Sequence, residues 1–336
     1  MTLHFSLPDI KLIDDNIPIQ ILSDDTTDFK YGKVPTKRTI RELLQYGIIN
    51  LDKPPRPTSH EVVSIVKKIL SIPKAGHSGT LDPQVTGVLP VALDKATRIL
   101  DTLLLAGKEY ICNMRLHSDV EEDVIRNIID DYTGHIYQRP PLRSSVKRVL
   151  RIRTVYESEI IEIRDREVLF RVNCQAGTYI RKYTHDIGQS LGGGAHMKEL
   201  RRIRSGPFTE DVFSASLQAL YDAYMWFKEE NDEIPLRNII LPMEYGVTHV
   251  PKIFMKDNAV DSVCHGAPIA IPGISKYTKN FEEGNIVGIF SLKNELIALG
   301  ETQLKSEEIE KMSHGLVARV KRVLMPIGTY PSMKKK

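Results

Sequence analysis

The order in which helical and strand-like hydrophobic patterns follow one another constrains the fold of this chain more than any other feature. A capping pattern at Thr58 and Glu61 precedes apolar residues at the spacing of a buried helical stripe, Val62, Ile65, Val66 and Ile69. From residue 110 to 116 apolar residues alternate instead, as in a half-buried strand. Because no regular strand–helix–strand rhythm links such segments, the pattern predicts an α+β fold rather than a doubly wound parallel sheet.

The character of the sequence changes near residue 248. A chain of 336 residues has room for two domains of about 100–200 residues each. From His249 onward the apolar segments are short and strand-like, at 267–271, 286–291 and 296–299, and glycines separate them. We therefore place a domain boundary at 248, with a small, mostly β module after it. The first 35 residues or so are mixed and polar, which predicts an irregular extension.

Composition excludes several classes of protein. The 41% of hydrophobic residues can form a substantial core, which excludes a disordered or fibrous chain. The three cysteines form no CxxC pair and the ten histidines show no metal-ligand spacing, so we expect neither a disulfide framework nor a metal site. No apolar run approaches the roughly 20 residues that span a bilayer, and the N-terminus lacks a signal-like segment. These features predict a cytoplasmic protein.

Positive charge is clustered although the net charge is only +3. The stretch 138–156 contains six basic residues and no acidic one, and these are Arg139, Arg143, Lys147, Arg148, Arg151 and Arg153. A second cluster consists of Arg201, Arg202 and Arg204. A single charged run is usually a solvated surface, whereas two basic runs flanking strands are equally compatible with polyanion binding.

One carboxylate stands out in the glycine-rich stretch 75–90. Asp82 precedes a proline, a pattern that predicts a helix start, where the helix dipole would favour the ionised acid. A carboxylate held ionised in a rigid loop can act as a nucleophile or a base. The alternative is that Asp82 only caps its helix.

Five ordered motifs resemble those of the TruB family of pseudouridine synthases. The stretch 76–90 resembles the catalytic motif, and the stretches 50–59, 108–110, 177–181 and 200–206 resemble the others in the right order. Segments 139–144 and 193–197, with the C-terminal β module, resemble the archaeal, dyskerin-like branch, the catalytic subunit of H/ACA guide-RNA particles. The resemblance runs from about Lys37 to the tail. It departs from the family at Arg56, where a glycine is usual.

The resemblance implies a fold, a domain division and a reaction. It implies a catalytic domain with a mixed, mainly antiparallel central sheet over residues 41–248, and a β-rich PUA domain with tail over 249–336. Residues 1–40 would be an N-terminal extension packed on the PUA domain. The implied reaction converts uridine to pseudouridine in ribosomal or transfer RNA and needs no metal or other cofactor.

The resemblance also implies a role for each motif residue. Asp82 would be the nucleophile towards ribose or base, Arg181 would pair with it, and Tyr179 would deprotonate the carbon that rejoins the ribose. Substrate contacts would come from Tyr110 by stacking, Leu200 by closing the pocket, and His77 and Lys53, with Lys53 alternatively shaping the neighbouring loop. The basic clusters supply the RNA-binding candidates Arg143, Lys147, Arg148, Arg202 and Arg204, the first three in a thumb loop that clamps substrate RNA.

The implied partners are those of a guide-RNA particle. They are H/ACA guide RNA, substrate RNA, and three small proteins: one zinc-binding or basic, one that binds the thumb loop, and one that binds kink-turns. No membrane contact is implied, and the short tail Lys334–Lys336 favours an archaeal over a nucleolar member. Two alternatives remain open, a stand-alone synthase for the T-loop uridine of transfer RNA and a non-catalytic RNA-binding scaffold.

Overall fold

The computed structural model describes residues 16–140 and 147–332, which form two β-sheets flanked by short helices. The strands are β1 (Ile19–Ile21), β2 (Gly47–Lys53), β3 (Ala75–His77), β4 (Thr86–Leu93), β5 (Lys108–Leu116), β6 (Gly134–Gln138), β7 (Arg151–Arg164), β8 (Glu167–Cys174), β9 (Ala195–Ser205), β10 (Phe208–Thr209), β11 (Ser214–Ala215), β12 (Ile240–Pro242), β13 (Lys252–Met255), β14 (Ile269–Ala270), β15 (Ile274–Thr278), β16 (Ile286–Ser291), β17 (Leu296–Thr302) and β18 (Leu316–Val323). The helices are α1 (Ile40–Tyr46), α2 (Ser59–Leu70), α3 (Leu100–Leu105), α4 (Glu122–Asp131), α5 (Ile180–Ser190), α6 (Leu217–Glu230), α7 (Ile234–Arg237), α8 (Asp257–Cys264) and α9 (Ser306–Ile309). Short 3-10 turns lie at Pro35–Lys37, Asp94–Ile99, Met243–Val247 and Ile271–Gly273.

The larger sheet carries the motif residues. Its strand order is β11-β2-β4-β9-β5-β8-β7-β6, with β3, β10 and β12 paired at its side. The pairs β11–β2 and β4–β9 are parallel and the others are antiparallel. The expected α+β class with a mixed, mainly antiparallel sheet is therefore confirmed.

Helix starts follow the capping patterns of the sequence. The Thr39 and Thr58 hydroxyls each accept a hydrogen bond from the backbone N–H of the third residue of the following helix, a glutamate. The carboxylate of that glutamate in turn accepts the threonine N–H. On α2 the buried stripe differs from the predicted one. Ile65 is exposed, whereas the predicted Val62 and Val66 are buried and Ile69 is partly buried against the same core. Val63 and Leu70, which were not predicted, are buried there too.

The predicted helix at Asp82 and Pro83 does not form. Residues 78–85 are a loop between β3 and β4, and the Val85 N–H donates to the Asp82 carbonyl across a turn. The Asp-Pro pair begins this turn rather than a helix, because both residue types are equally favoured in turns. The dipole of a helix beginning at Asp82, expected to favour the ionised acid, is therefore absent.

The smaller sheet lies in the C-terminal part of the chain and includes one N-terminal strand. Its order is β1-β15-β13-β16-β17-β18-β14, and β1 pairs antiparallel with β15. Among the predicted strands, 286–291 and 296–299 form β16 and part of β17, whereas most of 267–271 is irregular. Within the described part of the chain, no helix is long and apolar enough to span a membrane.

A buried ion pair joins the N-terminal segment to both sheets. The Arg38 guanidinium donates two hydrogen bonds of 2.7 Å to the fully buried Glu244 carboxylate. The same carboxylate accepts the Leu296 N–H of β17 at 3.0 Å. Apolar residues of both sheets, such as Ile48 on β2 and Phe290 on β16, share one core cluster, so packing as well as charge holds the two sheets together.

Candidate active site

The loop 78–85 presents Asp82 to solvent while its neighbours are fixed. The Leu81 side chain is buried, and its backbone exchanges hydrogen bonds with the buried Ser59 hydroxyl at the start of α2, at 2.9 and 3.2 Å. The Asp82 side chain is 52% exposed. An exposed carboxylate is thus carried on a fixed backbone, which a reactive group needs.

Arg181 lies opposite Asp82 and forms an ion pair with it. It is the second residue of α5, and Tyr179 immediately precedes that helix as its N-cap. The structure therefore brings together Asp82 and Arg181 across 99 residues, with Tyr179 two residues before Arg181 in the chain. With 58% of the Arg181 side chain exposed, the pair remains open to a ligand.

Tyr110 and Leu200 lie on the adjacent antiparallel strands β5 and β9. Tyr110 on β5 is opposite Arg202 on β9, and Leu200 is opposite Cys112. Both side chains are partly buried and pack against the same core cluster. Burial raises the pKa of the Tyr110 phenol, and the Arg202 guanidinium opposes this shift. A neutral aromatic ring at this place can stack on a base.

The ammonium of Lys53 is buried under the loop rather than facing a ligand. It donates hydrogen bonds of 2.9 Å to the carbonyls of Pro54, Pro83 and Val85, and the side chain has no exposed surface. Burial lowers its pKa, an effect that the nearby Asp82 opposes. This geometry favours the loop-shaping role over the predicted substrate contact.

His77 ends β3 just before the loop. Its Nδ1 accepts the Gly79 N–H at 3.2 Å, and its ring packs edge-on against His60 with centroids 5.0 Å apart. Burial, with His60 and Arg202 nearby, lowers the pKa of His77 to about 4. The imidazole is therefore neutral near pH 7, and it stays a candidate substrate contact.

Arg202 is a buried cation and not part of the solvent-facing basic surface predicted for it. Only 1% of it is exposed, and it donates to the carbonyls of Val88 at 2.7 Å and Gly79 at 3.2 Å. The alternation of β9 turns it inward, which a basic cluster in a sequence does not reveal. Burial lowers the pKa of this guanidinium, and Tyr110 opposes the shift.

The other RNA-binding candidates differ in exposure. Lys147 and Arg148 are exposed, and Arg148 donates through Nε to the Pro140 carbonyl at 3.2 Å. Arg204 is half-buried and already bonded to Glu109 and Asn173, both at 2.9 Å. Arg143 lies outside the described residues.

The departure at Arg56 has a backbone explanation. Arg56 is exposed and adopts φ +90°, a conformation that favours glycine, and its N–H donates to the Pro83 carbonyl at 2.9 Å. The backbone at position 56 must therefore be left-handed for its N–H to reach the Asp82 loop. Arginine adopts this conformation here at some cost in strain.

Sequence reasoning missed two buried polar residues that support the site. Lys108 donates to the carbonyls of Leu103, Leu104 and Ala106 at 2.7–3.0 Å, and burial lowers its pKa to about 7. Gln138 hydrogen-bonds the backbone of Tyr179. Gln138 has only the signal of a polar residue at a strand end, whereas Lys108 also belongs to the motif 108–110, which does not reveal its burial. In the described ranges, no three His, Cys, Asp or Glu side chains form a potential metal site.

Comparison with known proteins identifies the family. Residues 67–180 match the model "TruB family pseudouridylate synthase (N terminal domain)", and 181–248 match "tRNA pseudouridylate synthase B C-terminal domain". Residues 251–324 match a PUA domain and 11–63 match a DKCLD (NUC011) domain. The site and fold are thus those of an RNA-modifying enzyme with an added RNA-binding module. The chain belongs to the TruB family of pseudouridylate synthases.

Similar proteins come from archaea. The chain is 50% identical over 305 residues to "Probable tRNA pseudouridine synthase B" of Methanosarcina barkeri, covering 91% of this chain and 90% of that protein. It is 53% identical over 315 residues to the protein of the same name from Pyrococcus abyssi, covering 93% and 94%.

Solved structures resemble the chain over almost its full length. One is "Crystal Structure of a Cbf5-Nop10-Gar1 Complex", with a TM-score of 0.92 and 51% identity over 96% of this chain and 98% of that one. Another is "Structure of H/ACA RNP bound to a substrate RNA containing 2'-deoxyuridine", with a TM-score of 0.90 and 49% identity over 96% and 99%.

Proposed function

We propose that this chain isomerises uridine to pseudouridine in RNA under the direction of an H/ACA guide RNA, in the cytoplasm of an archaeal cell. The observation that carries the proposal is the open ion pair between Asp82 and Arg181, present in a chain about half identical to the H/ACA structures. The archaeal relatives support the cellular location.

Asp82 is the nucleophile of the proposed reaction. The bond from ribose C1′ to uracil N1 breaks, the base turns, and C1′ joins C5. The C5 proton leaves and N1 gains one, so the product is an isomer of the substrate. Asp82 would attack ribose or base, and Arg181 would hold the carboxylate in one orientation by a charge-assisted hydrogen bond.

The remaining site residues bind or deprotonate the base. Flipping a uridine out of its stack costs a few kcal/mol of free energy. Stacking on Tyr110 and apolar contact with Leu200 would recover part of that cost. Tyr179, beside Arg181, is the proposed base towards C5. His77 would contact RNA at the edge of the loop.

Partners and RNA-binding surfaces follow from the same proposal. We propose partners like Nop10 and Gar1, named with the similar structure, and a kink-turn-binding protein in the same particle. Lys147, Arg148, Arg204 and Arg143 would contact RNA phosphates. Lys147 and Arg148 are more exposed than Arg204. The PUA-like module would hold the guide RNA.

We also propose domains at 1–40, 41–248 and 249–336. The family models that end at 248 and begin at 251 support the second boundary. The pairing of β1 with β15 supports assigning the N-terminal extension to the C-terminal domain. The DKCLD model spans 11–63 and so crosses the first boundary.

A guide-independent activity on transfer RNA is the second candidate, because the similar archaeal proteins are named for that activity. A pseudouridine-forming assay distinguishes the candidates. Particles reconstituted with wild-type chain, Asp82→Asn or Asp119→Asn would be given guide-paired substrate, and transfer RNA without guide. Asp119→Asn is the matched control, since Asp119 pairs with Arg166 on the exposed surface.

We expect guide-dependent product from wild type and Asp119→Asn, and none from Asp82→Asn. Product on transfer RNA without guide would support the second candidate. Tight guide binding by the wild type without any product would refute both enzymes and favour the scaffold alternative.

A further inference from the structure

We propose that Gln138 is a positioning residue for the reaction. Its side-chain amide holds the backbone of Tyr179 and thereby fixes the start of α5, which carries Arg181. The inference rests on the proposed function, because it assigns Gln138 an effect on the rate of pseudouridine formation.

One amide satisfies both backbone groups of one residue. The Tyr179 N–H donates to Gln138 Oε1 at 2.9 Å, and Gln138 Nε2 donates to the Tyr179 carbonyl at 3.2 Å. Gln138 is the last residue of β6, 41 residues from Tyr179, and only 2% of it is exposed. A buried amide bonded on both sides has little freedom to rotate, so it fixes the peptide that it contacts.

The contact lies at the N-terminus of α5. Tyr179 is the N-cap of α5, with an extended backbone (φ −94°, ψ 102°) and no side-chain cap of its own. Its carbonyl accepts the N–H groups of Lys182 and Tyr183, at 3.1 and 2.9 Å. An uncapped helix start frays readily. Gln138 supplies from another strand the restraint that the sequence of α5 lacks, one turn or less from Arg181.

A second contact ties the same segment to the same hairpin. The Gln175 N–H donates to the Thr154 carbonyl at 2.8 Å, and the Thr154 N–H donates to Gln175 Oε1 at 3.1 Å. Thr154 belongs to β7, which pairs with β6. The β6–β7 hairpin thus holds the segment 175–179 at both ends, and the contact with the residue that begins the helix comes from Gln138 rather than from Gln175.

Substitution of Gln138 and substitution of Gln175 should therefore have different effects. Both contribute to joining hairpin and helix, so either change costs some stability. Loss of the Gln138 contacts should also displace the Asp82–Arg181 pair, whereas loss of the Gln175 side-chain contact leaves the Tyr179 backbone held. A misplacement of about 1 Å in a catalytic group can reduce a rate about 100-fold.

The test compares Gln138→Met with the matched control Gln175→Met. Methionine has about the same length and makes neither hydrogen bond. Reconstituted guide particles would be assayed for the single-turnover rate constant of pseudouridine formation and, separately, for the Kd of the substrate RNA. Gln138→Asn is the second variant if Gln138→Met does not fold, because its shorter amide cannot reach both backbone groups.

We expect Gln138→Met to lower the rate constant about 10- to 100-fold with a Kd within about twofold of wild type, and Gln175→Met to keep most of the rate. Gln138→Asn should change the rate constant in the same direction by a smaller factor. Equal rates for Gln138→Met and wild type, equal losses in both methionine variants, or a change confined to Kd would overturn the inference. A wild-type particle without product would overturn the proposed function and this inference together.

Discussion

Replacing Lys53 with methionine tests what holds the Asp82 loop in place. Methionine keeps the length and apolar stem of the side chain but removes three hydrogen bonds of 2.9 Å, to the carbonyls of Pro54, Pro83 and Val85. The Pro83 carbonyl keeps the Arg56 N–H as a donor. Lys53→Met therefore leaves mainly the carbonyls of Pro54 and Val85 without this donor.

Two opposing effects set the magnitude. Each buried carbonyl left without a donor costs about 1–3 kcal/mol, so two cost about 2–6 kcal/mol. Removing a buried ammonium returns part of the free energy spent on its desolvation. We expect Lys53→Met to lower the free energy of unfolding by about 2–4 kcal/mol. The chain should still fold, since a typical domain has about 5–15 kcal/mol.

The assay separates loop shaping from substrate contact. Urea unfolding gives the stability, single-turnover pseudouridine formation gives the rate constant, and RNA titration gives Kd. Lys252→Met is the matched control. Lys252 is equally buried, donates at 2.8 Å to the carbonyls of Thr248 and Val250, and is remote in sequence from the Asp82 loop.

We expect both variants to be destabilised and only Lys53→Met to lose at least about tenfold in rate constant, since about 1.4 kcal/mol of barrier corresponds to that factor. A Lys53→Met chain with wild-type stability and rate but weaker RNA binding would refute the reasoning and restore the substrate contact. So would an equal loss of rate in the Lys252 control.

Three further predictions concern charge. Replacing Lys147 and Arg148 together with alanine should weaken RNA binding and lower the slope of log affinity against log salt by about 0.7 per lost contact to single-stranded RNA; an unchanged slope in titrations at several salt concentrations would exclude phosphate contacts there. Folding lowers the pKa of His77 from its usual 6.5 to about 4. Between these pH values the folded chain keeps His77 neutral while the unfolded chain binds a proton. The contribution of His77 to the free energy of unfolding is therefore full above pH 6.5 and is lost as the pH falls towards 4. His77→Gln should therefore lose less stability than wild type between pH 7 and pH 5 in urea unfolding, and equal losses would contradict this. Arg38→Met should cost about 3–5 kcal/mol because it leaves the buried Glu244 unpaired, and Arg38→Met with Glu244→Met should recover most of it in guanidinium unfolding; a double variant no more stable than the single one would contradict the pairing.

Local patterns predicted those parts of the fold that local interactions determine. The capping patterns at Thr39 and Thr58 fixed two helix starts, because each cap is complete within four residues. Alternation fixed β5, where Cys112, Met114 and Leu116 are fully or almost fully buried. The motif resemblance anticipated that Asp82 and Arg181 would meet, which no spacing argument could supply across 99 residues.

The pairing of the strands determined features of the site that the sequence alone did not predict. Arg202 and Arg204 look alike in the basic cluster, yet one is buried and the other is half-buried and bonded to Glu109, because register places them in different surroundings on β9. Asp82 and Pro83 suit both a helix start and a turn, and only the strand that follows decides between them. Whether a polar side chain is buried depends on neighbours that are distant in sequence. The sequence alone therefore did not predict the roles of Lys53 and Gln138.

The loop 78–85 lies between two strands and extends no ladder, so most of its hydrogen bonds come from side chains. Buried carbonyls without donors would destabilise it. Side chains from three other segments bond the carbonyls of alternate residues, namely Arg202 to Gly79, Ser59 to Leu81, and Lys53 to Pro83 and Val85. The backbone on both sides of Asp82 is therefore fixed while its side chain is free to meet Arg181. Charged donors suit this purpose because one ammonium or guanidinium can serve several carbonyls at once. Lys53 and Arg202 would thus bear on the proposed reaction indirectly, through the loop whose carbonyls they bond.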